Sequence, residues 1–472
     1  MSRIRSVLAL CALGLCAAGA HAQSTTPAVS NLIAFSISTP TGNLALGSDG
    51  AIYGVSSAGT SVAGGLIYRA AIDGSSIRTV FQIDPAQGLQ PLAGLTVGSD
   101  GLFYGTTRFG SVNETSTTGT VFRITPSGTD FTVLHRFATA TQTNADFNAI
   151  NTDGAYPEAE LTEGRLLGSE DSDGYLYGVT RAGGPNGTGA VFKVSRDGAD
   201  FHVLHTFAAD TDTTTSGLVK TVDGAAPQGK LVQDAERMLY GTTSLGGDNG
   251  RGVVFRLATD GSGFQVLHTF GATTNDTTTG QPENDDGAIP VAGLTDGGDG
   301  FFYGVTSVGG TEGLGVVFAI SPDGGTFRVM HHFNGTTGAR PAVELLLGTD
   351  GKLYGTTDAG GVTSSNAAST LGTIFSIERD GSGFLRLHSF DGSAGATPGS
   401  GLVQVGDADF VGTTTSSGRC GYGALYRYKG DGTVIDGDDR CGRRRNNSGG
   451  GHGGAALVLL LGSLAWWRRK VT

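Results

Sequence analysis

A chain of 472 residues in which 81 are glycine, with no Gly-X-Y period, does not carry that glycine in a collagen or a disordered tail; it belongs in many tight turns. The formal charge is −12, and five basic residues (Arg3, Arg5, Arg468, Arg469, Lys470) lie in terminal segments expected to be removed, leaving 26 basic against 43 acidic residues, a net −17. So acidic a surface excludes nucleic acid and anionic lipid as main partners, since both need a basic footprint.

Residues 1–22 open with Arg3 and Arg5, continue as a short apolar run and end Ala20-His21-Ala22 before Gln23. This is the pattern of a Sec signal peptide cut between Ala22 and Gln23, and it predicts export to the cell surface or medium. A lipoprotein signal at Cys11 or Cys16 is the weaker reading, because Leu10 and Leu15 suit lipidation poorly.

After a short linker (23–30), residues 31–442 repeat one grammar of four β-rich phrases, A to D. Phrase A is apolar and usually ends in an Asp-Gly turn, as in Leu92 to Val97 and Asp100-Gly101. Phrase B carries Tyr53-Gly54, Tyr104-Gly105, Tyr177-Gly178, Tyr240-Gly241, Tyr303-Gly304 and Tyr354-Gly355, with Phe410-Val411-Gly412 as a seventh, degenerate copy. A Gly-rich loop leads to C (Val191-Phe192-Lys193, for example), and a further turn leads to D. Six D phrases follow seven A-B-C sets; the missing one is Asn31 to Ile37, ahead of the first A phrase. Seven antiparallel four-stranded units closed by exchange of the terminal strand predict an all-β fold, a seven-bladed β-propeller with no open edge.

The G-x-x-P, D-G-x-x-Y-G-T-T, G-G and V-F phrases resemble the GloVer repeat of exported bacterial proteins with varied C-terminal anchors. That resemblance implies an exported address and no particular chemistry.

Alternating strand direction puts B-to-C loops and D-to-A connections on one face of the disc. That face carries the pairs Gly183-Gly184 and Gly246-Gly247 and three long excursions, 138–160, 208–227 and 271–290. Insertions gathered on one face mark a binding face. The excursions end in Asp153-Gly154, Asp223-Gly224 and Asp285-Asp286-Gly287, each followed three residues after the glycine by proline. Gly-x-x-Pro reads first as a turn into the next A phrase; the sharper reading makes Asp153, Asp223, Asp285 and Asp286 ligands of Ca²⁺, although no EF-hand loop is present.

Five D phrases place a histidine alike (His135, His205, His268, His331, His388), and the slot is Phe81 in the first copy and Phe35 in the N-terminal strand. A packing role follows, and strict alternation would put Phe201, Val203, His205 and Phe207 on one face. The Tyr-Gly pair is expected to let a neighbouring sheet approach closely, and the basic residue of C (Arg69, Arg123, Lys193, Arg256, Arg427) to be solvated or locally paired. No G-x-S-x-G, H-E-x-x-H, P-loop or Cys-His zinc pattern occurs, so catalytic residues are unassigned.

Cys420 and Cys441 are the mature chain's two cysteines, and export predicts that they pair as a disulfide. An Arg/Gly-rich linker (443–454), an apolar run and Arg468-Arg469-Lys470 (455–472 together) then resemble a GlyGly-CTERM sorting tail. This resemblance implies cleavage near Gly453-Gly454 by a membrane sorting protease in a Gram-negative-type envelope. The function expected is an exported propeller that binds polysaccharide or a surface protein. The alternatives are a carbohydrate-active hydrolase or lyase using acidic residues of the loop face, and an envelope spacer.

Overall fold

A computed structural model describes residues 28–34, 38–57, 64–110, 118–143, 149–211, 218–362, 371–393, 395–417 and 421–430. The expected signal cleavage site Ala22-Gln23, the cysteines 420 and 441, Phe35 and the sorting glycines 453 and 454 lie outside them. Side chains of 28–34 are likewise not described.

The described residues contain strands and turns and no helix, arranged as the seven antiparallel sheets of a β-propeller, with two small two-stranded ladders, Gln142–Thr143 with Ala149–Ile150 and Thr274–Asn275 with Pro282–Glu283, in the excursions. In the third blade A is Thr162–Arg165, B Ser172–Thr180, C Ala190–Ser195 and D Phe201–Thr206, hydrogen-bonded in that order. The ring closes as the count of phrases requires. Ala28–Ala34 pairs antiparallel with Ala424–Lys429, the C strand of the last blade, and becomes its outermost strand. The paired segment starts three residues earlier than Asn31, and a bulge between Asn31 and Ile33 adjusts its register.

The core lies between blades. Tyr177, Val191 and Phe207 of the third blade pack with Leu231, Val253 and Phe255 of the fourth, all nearly free of solvent, and comparable clusters fill other junctions. Each sheet therefore buries both faces, which is why B and C strands read as runs of apolar residues and threonine.

Two expectations need correction. The Tyr-Gly glycine makes room for a ring of its own sheet: Gly178 is registered opposite Phe192 on strand C, and a Cβ at Gly178 would lie 2.5 Å from that ring. The D strand also breaks its alternation. A bulge shifts the C–D pairing from Val191↔His205 to Phe192↔Val203, so Phe201 packs on His135 of the preceding blade while His205 packs on Phe264 of the following one.

Gly-x-x-Pro is a strained corner. The residue before each proline is left-handed in six blades: Gln90, Tyr156, Ala226, Ile289, Arg340 and Thr397 have φ between 54° and 59°. The glycine two positions earlier is also at positive φ, and at Gly154 a Cβ would collide with Thr180 of strand B. Such a φ costs a non-glycine residue roughly 1 kcal/mol. Gln90→Gly is accordingly expected to stabilise the protein by about 0.5 kcal/mol, once the greater freedom of glycine in the unfolded chain is counted. Urea denaturation checks this; a fall in midpoint would show that the corner is unstrained.

Candidate functional site

The two faces of the disc are built differently. On the A-to-B face the Asp of D-G-x-x-Y accepts a hydrogen bond from the Tyr four residues on: Tyr104 Oη donates to Asp100 at 2.7 Å, Tyr177 to Asp173 at 2.8 Å and Tyr303 to Asp299 at 2.7 Å. The same carboxylates accept from a backbone N–H of the turn, as Asp173 does from Tyr175. Guanidinium groups add to them: Arg237 reaches Asp173 at 3.2 Å, and Arg196 bridges Asp100 and Glu163. Among the basic residues of C, Arg69 pairs with Asp49 and Arg427 with Asp409, while Lys193 lies over the Tyr175 ring. This face is a set of short, self-satisfied turns.

On the opposite face each long excursion returns an aspartate to the strand it left. Asp153 Oδ2 accepts from His135 Nε2 at 3.0 Å and Oδ1 from the Ala138 N–H at 2.9 Å. Asp223 does the same with His205 and Ala208, and Asp286 with His268 and Gly271. Every pair is separated by 18 residues. The imidazoles stack flat on the next blade's phenylalanine, with centroids 3.6 to 3.8 Å apart at His135–Phe201, His205–Phe264 and His268–Phe327. These three Asp–His pairs thus sit one per blade junction as clamps that fasten an excursion to a strand. The recurring spacing of 18 is a signal that reading the histidines and aspartates separately misses.

Where the connection is short, no aspartate hydrogen-bonds the histidine among the described residues, and the imidazole is half-buried. His331 contacts Thr337 Oγ1 at 3.2 Å, and burial, with the neighbouring His332, holds its pKa down to about 4; burial does the same to His388. The unfolded chain then binds protons that the folded chain refuses between the ordinary value of 6.5 and about 4. Their contribution to stability is complete above that window and is lost as pH falls through it. Allowing for their partial exposure, a loss of roughly 1 kcal/mol per histidine is expected by the lower end. Thermal melts of wild type and His331→Gln at pH values spanning the window check it; parallel curves would remove His331 as a cause.

The paired glycines are also inside the scaffold. Gly183, Gly184, Gly246 and Gly247 are buried at positive φ, and a Cβ on Gly183 would collide with the backbone at Gly154 and Ala155. Asn151 ties the two segments together, its Oδ1 accepting from the N–H of Gly154 and of Gly184, each at 3.0 Å. Asn284 does the same for Gly287 and Gly310. The glycines thereby shape the loop face from beneath.

Excursion 271–290 is described throughout, and it borders an open depression of about 650 Å³ lined by Gly271, Ala272, Thr274, Glu283, Asn284, Asp285, Asp286 and Thr311. Asp286 and Asn284 are held as above. Asp285 is exposed, Glu283 is half-buried, and neither carboxylate carries a hydrogen bond among the described residues. Burial holds the His332 pKa below its ordinary value, and the nearby Asp285 opposes that shift in part. Among the described residues no three His, Cys, Asp or Glu side chains gather as a metal site.

The repeat that builds both faces is matched by the family model of the Gloeobacter/Verrucomicrobia repeat at residues 21–164, 138–283 and 272–436. The chain belongs to that family. No curated protein sequence matches it. Solved structures that this Gloeobacter/Verrucomicrobia repeat protein resembles include an extracellular domain from B. thetaiotaomicron (11% identity, TM-score 0.46, covering 85% of this chain and 39% of that one). Others are an oligogalacturonate lyase from Vibrio parahaemolyticus (10%, 0.45, 86% and 94%) and a nidogen/laminin complex (15%, 0.38, 69% and 90%).

Proposed function

We propose that this protein is an exported binding module, at the cell surface or released from it, whose loop face takes a polysaccharide or a surface protein. The observation that supports this is the depression beside excursion 271–290, a polar concavity in which the carboxylates of Glu283 and Asp285 carry no hydrogen bond among the described residues. Polar and open, it suits hydroxyl-rich or cationic groups better than an apolar small molecule. Ca²⁺ enters this reading as a bridge between ligand and carboxylates on that face, with Asp285 available and Asp153, Asp223 and Asp286 already engaged by histidine.

A glycan array probed with the mature protein, with and without chelator, tests the reading. Retention of a glycan without turnover, weakened tenfold or more in Asp285→Asn together with Glu283→Gln, is the expected result. Release of shortened products would favour a hydrolase or lyase. Neither retention nor release, combined with no captured surface protein, would leave the envelope spacer.

A further inference from the structure

On the loop face, the B strand of each blade ends beside the Gly-x-x-Pro corner through which the chain enters the A strand. In the fourth and fifth blades a serine stands there, and its hydroxyl donates to the carbonyl of the residue before the proline: Ser244 Oγ to Ala226 O and Ser307 Oγ to Ile289 O, each at 2.9 Å. Gln228, just after the proline of the fourth blade, donates from Nε2 to Ser244 Oγ at 2.9 Å. The sixth blade has Asp358, which accepts from Arg340 Nε at 3.0 Å, one charge against one. The scaffold thus asks for a hydroxyl or a balanced pair at this place.

The second and third blades depart from it. They carry Arg108 and Arg181 here, and the residue after the third blade's proline is Glu158. Arg108 Nε lies 2.9 Å from Glu158 Oε1 and Arg181 Nε 3.9 Å from Oε2, so two guanidinium groups converge on one carboxylate and leave a positive charge over. The closer contact is not a hydrogen bond, since Arg108 Nε and Glu158 Oε1 are both buried with no hydrogen-bond partner. No side-chain N–H of Arg181 is hydrogen-bonded among the described residues either. Arg108 is held in place by two rings, its Cζ 5.1 Å from the centroid of Phe109 and 5.9 Å from that of Tyr156. Both arginine side chains are 24% exposed, so a ligand on the loop face can reach them.

Covered donors without acceptors are costly, and a carboxylate brought by a ligand would satisfy them with charge-assisted hydrogen bonds. We propose that this corner of the loop face recognises a uronate of a polysaccharide, with Arg181 and Arg108 as its donors and Glu158 as the chain's own stand-in for the ligand carboxylate. The inference rests on the reading of the loop face as a polysaccharide-binding face. A mature chain of net charge −17 repels a densely charged polyanion, so the polymer that fits has its uronates spaced by neutral sugars.

Calorimetric titration of the mature protein at low salt with oligosaccharides of hyaluronan and gellan, with their carboxyl-reduced forms and with dextran sulfate tests the site. The acidic forms should bind at least about tenfold more tightly than the reduced ones, and less so as salt rises. Arg181→Ser with Glu158→Gln copies the Ser244–Gln228 pair that the fold already accommodates. That variant should melt near wild type and lose binding by about tenfold. Glu158→Gln alone removes the competing carboxylate and should tighten binding about threefold, whereas a merely structural ion pair would give no gain. Equal binding of acidic and reduced forms would overturn the site and leave the loop-face reading standing, as would unchanged affinity in the double variant or weaker binding in Glu158→Gln. Binding of dextran sulfate in place of the uronates would overturn the carboxylate assignment, and retention of no glycan at all would overturn both readings.

Discussion

Removal of residues 28–34 from the mature chain is expected to cost the largest share of its stability. Those seven residues form the outer strand of the last blade and join the start of the chain to its end through pairs from Ala28↔Lys429 to Ala34↔Ala424. Without them Ala424–Lys429 becomes an open edge, with its hydrogen-bonding groups exposed to other chains. The ring also loses the link that makes its blades one cooperative unit. Equilibrium urea unfolding should show a loss of at least about 5 kcal/mol, with self-association by light scattering. Recovery on adding a peptide of residues 28–34 would identify the strand itself as the cause. A truncated chain that unfolds at the wild-type midpoint would mean that the ring is held shut elsewhere.

Gly178→Ala is expected to cost far more than a methyl group ordinarily does. The added Cβ would lie 2.5 Å from Cζ of Phe192 and 2.8 Å from a methyl of Leu161, both buried to 0% exposure. Phe192 cannot simply swing away, because it also stacks on Phe201 and meets Phe137 edge to face. Overpacking of this kind costs roughly 3 kcal/mol. Gly174→Ala, in the Asp-Gly turn before the same strand, is the control: its φ is 87° but a Cβ there meets nothing within 4 Å, so only the left-handed backbone is penalised, at about 1 kcal/mol. Equal losses in the two variants would show that backbone conformation, and not the Phe192 ring, explains the glycine of Tyr-Gly.

Much of the architecture can be read directly from the repeats because it is local or periodic. Tyr-Gly and Asp-Gly recur at fixed offsets, and the surplus A-B-C set together with the unmatched strand before the first A phrase demands closure between the termini. The exact segment was less legible. Asn31 to Ile37 has the D pattern, whereas the ladder uses Ala28–Ala34 with a bulge, since register is set by the partner strand as well as by the pattern. The bulge in the C–D pairing is hidden for the same reason, and it decides that His205 faces the fourth blade and Phe201 the second.

The candidate site divides along the same line. Composition and insertion length single out the loop face, and they point to Asp153, Asp223, Asp285 and Asp286. Which of these carboxylates are spoken for depends on where the chain returns: three fold back onto a histidine and a backbone N–H, and Asp285 does not. By itself the sequence determines the number of blades, their strand grammar and the manner of closure, because these follow from periodicity and turn chemistry between neighbouring residues. The tertiary structure alone decides the Asp–His clamps and the pairing of Glu160 with Lys230 between the third and fourth blades, because the distance between blades depends on how the ring curves and no local pattern encodes it.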